Sequence, residues 1–261
     1  MKIQEQTLTF PVHTKNFLKE RGTKKNSQQV TPCLQDVPTG RELKRQYDQG
    51  KRDFSQINFC GGNLVWTDLS GVNFSQANLQ NAKLSAATLK QANLKKANLQ
   101  GANLRATDLR NADLSGANLQ GADLGRADLI NTNLSGADLR EANLTEVIIH
   151  RINLRNANLT GANLEGLDLS EADLTGADLS NANVAGARLQ EAQLCQANLS
   201  GADMTQVNLS GADLRQADLS KAQLEQAELY GADLRGANLD DTALEEAKLA
   251  GAKLPKSKFS G

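Results

Sequence analysis

From Phe54 onward the chain places an apolar residue at every fifth position, and the 42 such positions through Phe259 keep one register without an insertion. Leu holds 35 of them; the others are Phe54, Phe59, Phe74, Ile149, Val184, Met204 and Phe259. Two residues before each centre stands Ala in 29 of the 42 cases, and the residue between is Asn or Asp in 31. The unit reads Ala-Asn/Asp-Leu-x-x, as in Ala77-Asn78-Leu79-Gln80-Asn81. An α-helix advances about 100° per residue, so leucines five apart would be scattered around it by about 140° each and leave no buried stripe. A strand puts Leu and the Ala two before it on one face and Asn/Asp on the other. Five is odd, however, so a straight strand would flip each successive Leu outward, and the chain has to turn once per unit.

Glycine marks the turn. Of the 18 glycines from Gly61 onward, 16 fall two residues after a centre, and Asn81, Asn111, Asn131, Asn156 and Asn181 share that slot. Gly and Asn are the residues that best tolerate positive φ at the third position of a type II turn. Repeated corners of one hand wind the chain into a solenoid with Leu and Ala lining a narrow interior and the other three positions outside. Small, evenly spread apolar residues then build the core, which accounts for a composition with only 3% aromatic and 39% hydrophobic residues. At about 25 cal/mol per Å² of buried apolar surface, dozens of them offset chain ordering without large aromatics.

This pattern resembles the pentapeptide-repeat family over residues 52–261. The resemblance implies an all-β fold, a right-handed quadrilateral β-helix with four units per coil, hence about 10 coils here. Exceptions that lie four units apart, Phe54 with Phe74 and Val184 with Met204, agree with stacking at that interval. At about 4.8 Å between strands such a rod would be about 50 Å long. Ahead of it, Thr39-x-x-Glu42 is a capping-box pattern followed by Leu43 and Tyr47 at i,i+4 spacing and by Gly50, which predicts a helix over about 40–49. This N-terminal cap, residues 39–51, would lay Leu43 and Tyr47 over a first coil with bulky Phe54, Phe59 and Phe74. It is similar to the helical cap of HetL-like cyanobacterial members of the family. At the other end Lys248, Lys253, Pro255, Lys256 and Lys258 would blunt the last open edge. Residues 1–38, polar and containing Pro11, Pro32 and Pro38, read as a flexible tail, with docking onto the rod or a partner as the alternative.

Twenty-nine basic and 30 acidic residues give a net charge of −1, which removes any bulk argument for nucleic acid or membrane binding. No segment could span a bilayer and no signal peptide is apparent. The three cysteines, Cys33, Cys60 and Cys195, show no paired spacing. A reducing cytoplasm is the expected location. Catalysis needs convergent reactive groups, yet the only histidines are His13 and His150, and no phosphate loop, metal-spaced cluster or nucleophile motif occurs. The 14 Asp residues in the Asn/Asp slot suggest bonding to turn backbone rather than calcium. The chain is therefore expected to be no enzyme and to need no cofactor, metal or small-molecule substrate.

One stretch, Val147-Ile148-Ile149-His150-Arg151-Ile152, breaks the surface pattern, because Ile148 takes an outward slot where Asn or Asp is expected. Stacking at four units per coil would set His150 beside Ile130 and near Arg110. Arg110, Ile130, Ile148, His150 and Arg151 thus form a candidate partner patch, the alternative being neutral variation on a tolerant surface. Trp66 and Tyr230 also occupy outward slots and could anchor a contact; for Trp66, packing on the N-terminal segment is equally open. Lys83 to Arg126 contains seven basic and three acidic residues, whereas Asp128 to Glu246 contains seven basic and 20 acidic. Within the family, quinolone-resistance members are DNA mimics that bind type II topoisomerase, and such a mimic needs negative potential along much of its length. The basic coils weaken that reading. The leading expectation is a scaffold for a protein partner of unknown identity, with oligomeric state left open and a topoisomerase-directed DNA mimic as the second choice.

Overall fold

The computed structural model describes residues 37–255, in which a single helix, α1 (Gly40–Asp48), precedes an uninterrupted ladder of short β-bridges. Each bridge is parallel and joins equivalent residues of units four apart, from Asp53 with Asn73 to Asp233 with Lys253. Four pentapeptides therefore complete one circuit. We number the walls by their central residues: wall 1 carries Phe54, Phe74 and Leu94, wall 2 Phe59, Leu79 and Leu99, wall 3 Leu64, Leu84 and Leu104, and wall 4 Leu69, Leu89 and Leu109.

The unit around Leu79 shows why this sequence holds the shape. The amides of Asn78, Leu79 and Asn81 donate to Ile57, Asn98 and Gln100 carbonyls in neighbouring coils at 2.9, 2.7 and 2.9 Å. The Ala82 amide donates to the Leu79 carbonyl at 3.0 Å and closes the corner. The remaining amide, of Gln80, donates to Asn78 Oδ1 at 3.3 Å. All five donors of residues 78–82 are satisfied, and the last one requires the Asn/Asp side chain. The same bond recurs at Asp113, Asn143 and Asp213. Leaving a buried amide without it costs about 1–3 kcal/mol, which explains a composition so rich in Asn and Asp at that slot.

Every corner residue from Gln56 to Gly251 has positive φ, 25 of them non-glycine and 15 glycine. With the N–H of the next Ala bonded back to Leu, this is the type II arrangement expected from glycine placement. Leu79, Leu119 and Leu199 are fully buried, and the alanines stacked between walls are buried from Ala77 to Ala237. Where Thr107 and Thr132 replace Ala, each hydroxyl donates to a carbonyl of the preceding coil, Leu84 and Leu109, at 2.9 Å.

At the N-terminal end Thr39 caps α1 by accepting from the Glu42 amide at 3.2 Å. The Glu42 carboxylate does not complete a reciprocal box. It pairs instead with Arg45 and Gln46 at 2.8 Å, bonds that hold it down at about pKa 2. Gly50, at φ 99°, ends the helix as its amide and that of Lys51 return to the Tyr47 and Gln46 carbonyls. Leu43 is buried against the first coil, Tyr47 donates its hydroxyl to the Ser70 carbonyl at 2.8 Å, and Phe54 packs on Phe74 with ring centroids 5.9 Å apart. Of the expected tail, 1–36 lie outside the described residues, as do Lys256, Lys258 and Phe259; Val37 is half-buried against the core. Cys60, buried in the first coil, is disulfide-bonded, so cysteine usage no longer argues for a reducing compartment.

Candidate functional site

Most of the outer surface is chemically self-contained. Asn ladders bond from coil to coil, as Asn98 to Asn78 and Asn118 to Asn98. Arg110, Arg140, Arg215 and Arg235 each clasp the Asp two positions earlier through two nitrogens. The Arg235 hydrogen bonds hold Asp233 down at about pKa 2. Among the described residues no group of three His, Cys, Asp or Glu is placed to hold a metal ion, and no helix is long and apolar enough to cross a membrane.

Wall 4 departs from this pattern. Stacking brings Arg110, Ile130 and His150 into one column, with the Asn111 amide on the Ile130 carbonyl and the Asn131 amide on the His150 carbonyl, both at 3.0 Å. Ile148 beside them is 54% exposed and His150 is exposed. Arg110 is not free for a partner, since it also lies 3.3 Å from Asp128, and Arg151 stands 3.8 Å from Glu171. Tyr230, 42% exposed, shares this wall but sits four coils further along; Trp66, 82% exposed, is on another corner. The seven candidate residues therefore form one cluster of five and two separate points.

The same cluster marks an opening that the sequence pattern did not reveal. From Asp53 to Asp233 every pairing between successive coils forms except Ile148 with Asp168. One coil earlier, Leu129 and Asn131 donate to Ile148 and His150 carbonyls at 2.8 and 3.0 Å; the corresponding bonds from Ile149 and Arg151 to Asp168 and Ser170 are absent, as are those from Leu144 and Glu146. The corner bond from Val147 to Leu144 stretches to 3.5 Å. Ile149 is the one centre from Phe54 to Leu239 that is not buried.

Side-chain volume supplies the cause. In the slot normally held by Ala, Val147 stacks directly on Leu167, and Ile152 fills the next such slot. Extra methylenes in a close-packed interior push backbone apart. Wall 4 parts here, and wall 3 loosens at Leu144 and Glu146 while keeping its Asn143–Asn163 bridge; the next units stay bonded, through Leu154 on Asp173 at 2.8 Å and Leu159 on Asp178 at 2.7 Å. Hydrogen exchange is the measurement that reports this. The Ile149 and Arg151 amides should exchange roughly tenfold faster than those of Leu129 and Asn131, about 1.4 kcal/mol of easier opening, and V147A/L167A should abolish the difference.

Comparison with known proteins agrees with this geometry. The family model described as Pentapeptide repeats matches in eight copies over residues 53–76, 73–111, 107–146, 152–190, 187–226 and 227–261. Among solved structures the chain is similar to HetL, a pentapeptide repeat protein involved in heterocyst differentiation regulation from the cyanobacterium Nostoc sp. strain PCC 7120. It is 36% identical to HetL over 85% of this chain and 99% of that one, with a TM-score of 0.76. It also resembles QnrB1, a plasmid-mediated fluoroquinolone resistance protein, at 21% identity over 78% of this chain and 92% of that one, with a TM-score of 0.41. Rfr23 from the cyanobacterium Cyanothece 51142 matches at 26% identity over 52% of this chain and 90% of that one, with a TM-score of 0.31. A search of the curated proteins found no match.

Proposed function

We propose, from the premise that this chain belongs to the pentapeptide-repeat family and shares its right-handed β-helical fold, that it is a non-enzymatic scaffold that binds a protein partner. The observation that carries this reading is the contrast on wall 4. Over most of the surface the outward groups bond to one another, whereas Ile148 and His150 present apolar and polar surface beside backbone that the following coil does not engage. Contiguous exposed apolar surface rimmed by polar residues marks contact sites, and Ile148 with the half-buried Ile130 forms a small patch of that kind. The similarity to HetL, which is described as involved in heterocyst differentiation regulation, agrees with a role other than catalysis. The likeness to QnrB1 carries no functional argument, and a DNA mimic is less supported because Asp108, Asp138, Asp213 and Asp233 are each neutralised by an adjacent Arg.

The test is affinity capture with the full chain and with Ile148→Asp combined with His150→Ala, both first checked for an unchanged melting temperature. A partner recovered in stoichiometric amount by the native chain should fall roughly tenfold or more with the variant, the loss expected when a charge enters an apolar contact. Equal recovery would remove this patch. Failure of the native chain to retain any protein would count against the scaffold itself.

A further inference from the structure

Corner residues adopt the left-handed conformation throughout, at a cost of about 1–2 kcal/mol for residues other than Gly and Asn. Of the 25 non-glycine corners, 22 carry amide or charged side chains; the three apolar ones are Trp66, Ala86 and Ala106. They are successive members of one column, each a full coil from the next, with φ of 58°, 54° and 53°. Their amides are fixed to the following coil, on the Ser85, Arg105 and Gly125 carbonyls at 3.1, 2.8 and 2.9 Å. For a side chain as bulky as Trp, positive φ is a true outlier, and such outliers point to use. Trp66 is 82% exposed, the highest value among the exposed large apolar residues, and Val65 beside it is half-buried.

The wall that meets this edge is wall 3, whose outward residues over the same three coils are Asn63, Val65, Lys83, Ser85, Asn103 and Arg105. None is acidic. Of the carboxylates on adjoining units, Asp68 accepts from the Ser70 amide and hydroxyl at 3.0 and 2.7 Å and Asp108 is held by Arg110 and Lys90, while Asp123 meets Arg105 only at 3.5 Å and leaves the Arg105 side chain 43% exposed. Lys83 is exposed, and Arg126, the next corner in the column, is paired with Glu146.

We propose that the Trp66–Ala86–Ala106 edge and the adjoining Lys83 and Arg105 form a docking surface for an acidic protein segment that carries apolar side chains. This rests on the scaffold reading and adds the partner's chemistry and a second contact surface, on a different edge from Ile148. Trp and Arg are the residues most often found to dominate protein contacts, and Ala86 and Ala106 leave room beside the indole for a partner side chain. Charge complementarity selects the occupant. Residues 1–36 of this chain contain six basic and three acidic residues, so they carry the same sign as the edge. A single-stranded nucleic acid needs a series of aromatic platforms along a basic groove, and here one indole stands with Lys83 and with an Arg105 that already faces Asp123.

Trp66 is the chain's sole tryptophan, so its fluorescence reports this edge directly. The experiment titrates the full chain with a synthetic acidic amphipathic peptide of Glu, Leu and Ala, and separately with a single-stranded oligothymidylate of similar length. The peptide is expected to shift Trp66 emission to the blue and saturate. Its affinity should weaken roughly tenfold in K83E/R105E, and salt should weaken binding to the native chain more than to this variant. Unchanged emission, or equal affinity for native chain and variant, would overturn the proposal. So would an oligothymidylate that alone shifts the emission, or a free chain whose indole is already shielded from acrylamide. Affinity capture separates this from the broader reading, because a partner retained by Trp66→Ala and by K83E/R105E removes only this surface.

Discussion

Leu119→Ala is expected to lower the melting temperature of the full chain by roughly 10 °C, whereas Ile149→Ala, at the equivalent slot of wall 4, should lower it by less than half as much. Leu119 is fully buried, as are Leu99 and Leu139, which stack on it in the coils to either side. Removing its three terminal carbons loses transfer energy and leaves a cavity that the rigid ladder cannot collapse, together about 2–5 kcal/mol. A chain of this size shifts about 2–4 °C per kcal/mol. Ile149 already touches solvent and its stretch of wall 4 is unpaired with the next coil, so less packing remains to lose. Because a solenoid is stabilised by contacts between neighbours alone, the damage at Leu119 should appear in hydrogen exchange of the coils on either side of it before it reaches α1. Calorimetry giving equal shifts for the two variants would contradict a locally opened wall 4.

Gly62→Ala restores the family's favoured residue in its slot and is nonetheless expected to destabilise by about 1–3 kcal/mol, read from the midpoint of urea unfolding. A β-carbon at Gly62 would lie 2.1–2.4 Å from three atoms of the Phe59 ring, which is fully buried. The backbone is not the obstacle, because no positive φ occurs there and both neighbouring bonds, Gly62 to Phe59 and Lys83 to Gly62, suit alanine. The ring is the obstacle. Phe59→Leu combined with Gly62→Ala should therefore recover most of the loss, a coupling that a double-mutant cycle isolates. If the pair proved as unstable as the sum of its parts, steric exchange between ring and methyl would be the wrong explanation.

Phe59 and Gly62 also show where sequence is a sufficient guide and where it stops. The five-residue register, the inward Leu and Ala, the turn at each fifth residue and the Asn/Asp bond to the corner amide are all readable, since each follows from local steric and hydrogen-bonding preferences repeated dozens of times. Thr39 and Gly50 mark the ends of α1 for the same reason. Gly62 stands out as an exception with no assigned cause, because its partner ring lies inside and only packing brings the two together. The opening at Ile149 is hidden in a similar way. Val147 and Leu167 look like ordinary substitutions along the chain, and become a conflict only when successive coils are stacked. Ile148, Ile130 and His150 fall side by side from that stacking alone, but the engagement of Arg110 by both Asp108 and Asp128 depends on side-chain geometry. Cys60 gives no pairing signal by spacing.

Pairing at intervals of four pentapeptides has a further result for how such a chain tolerates changes in length. Deleting a whole circuit slides everything downstream along the axis and leaves its compass bearing intact. Losing one pentapeptide instead swings the remainder by about a quarter revolution, so that Tyr230 would look out from a side perpendicular to Ile148. A partner that gripped two levels at once would therefore hold the length of the β-helix to whole circuits, because each level sets the height and heading of the side chains it displays.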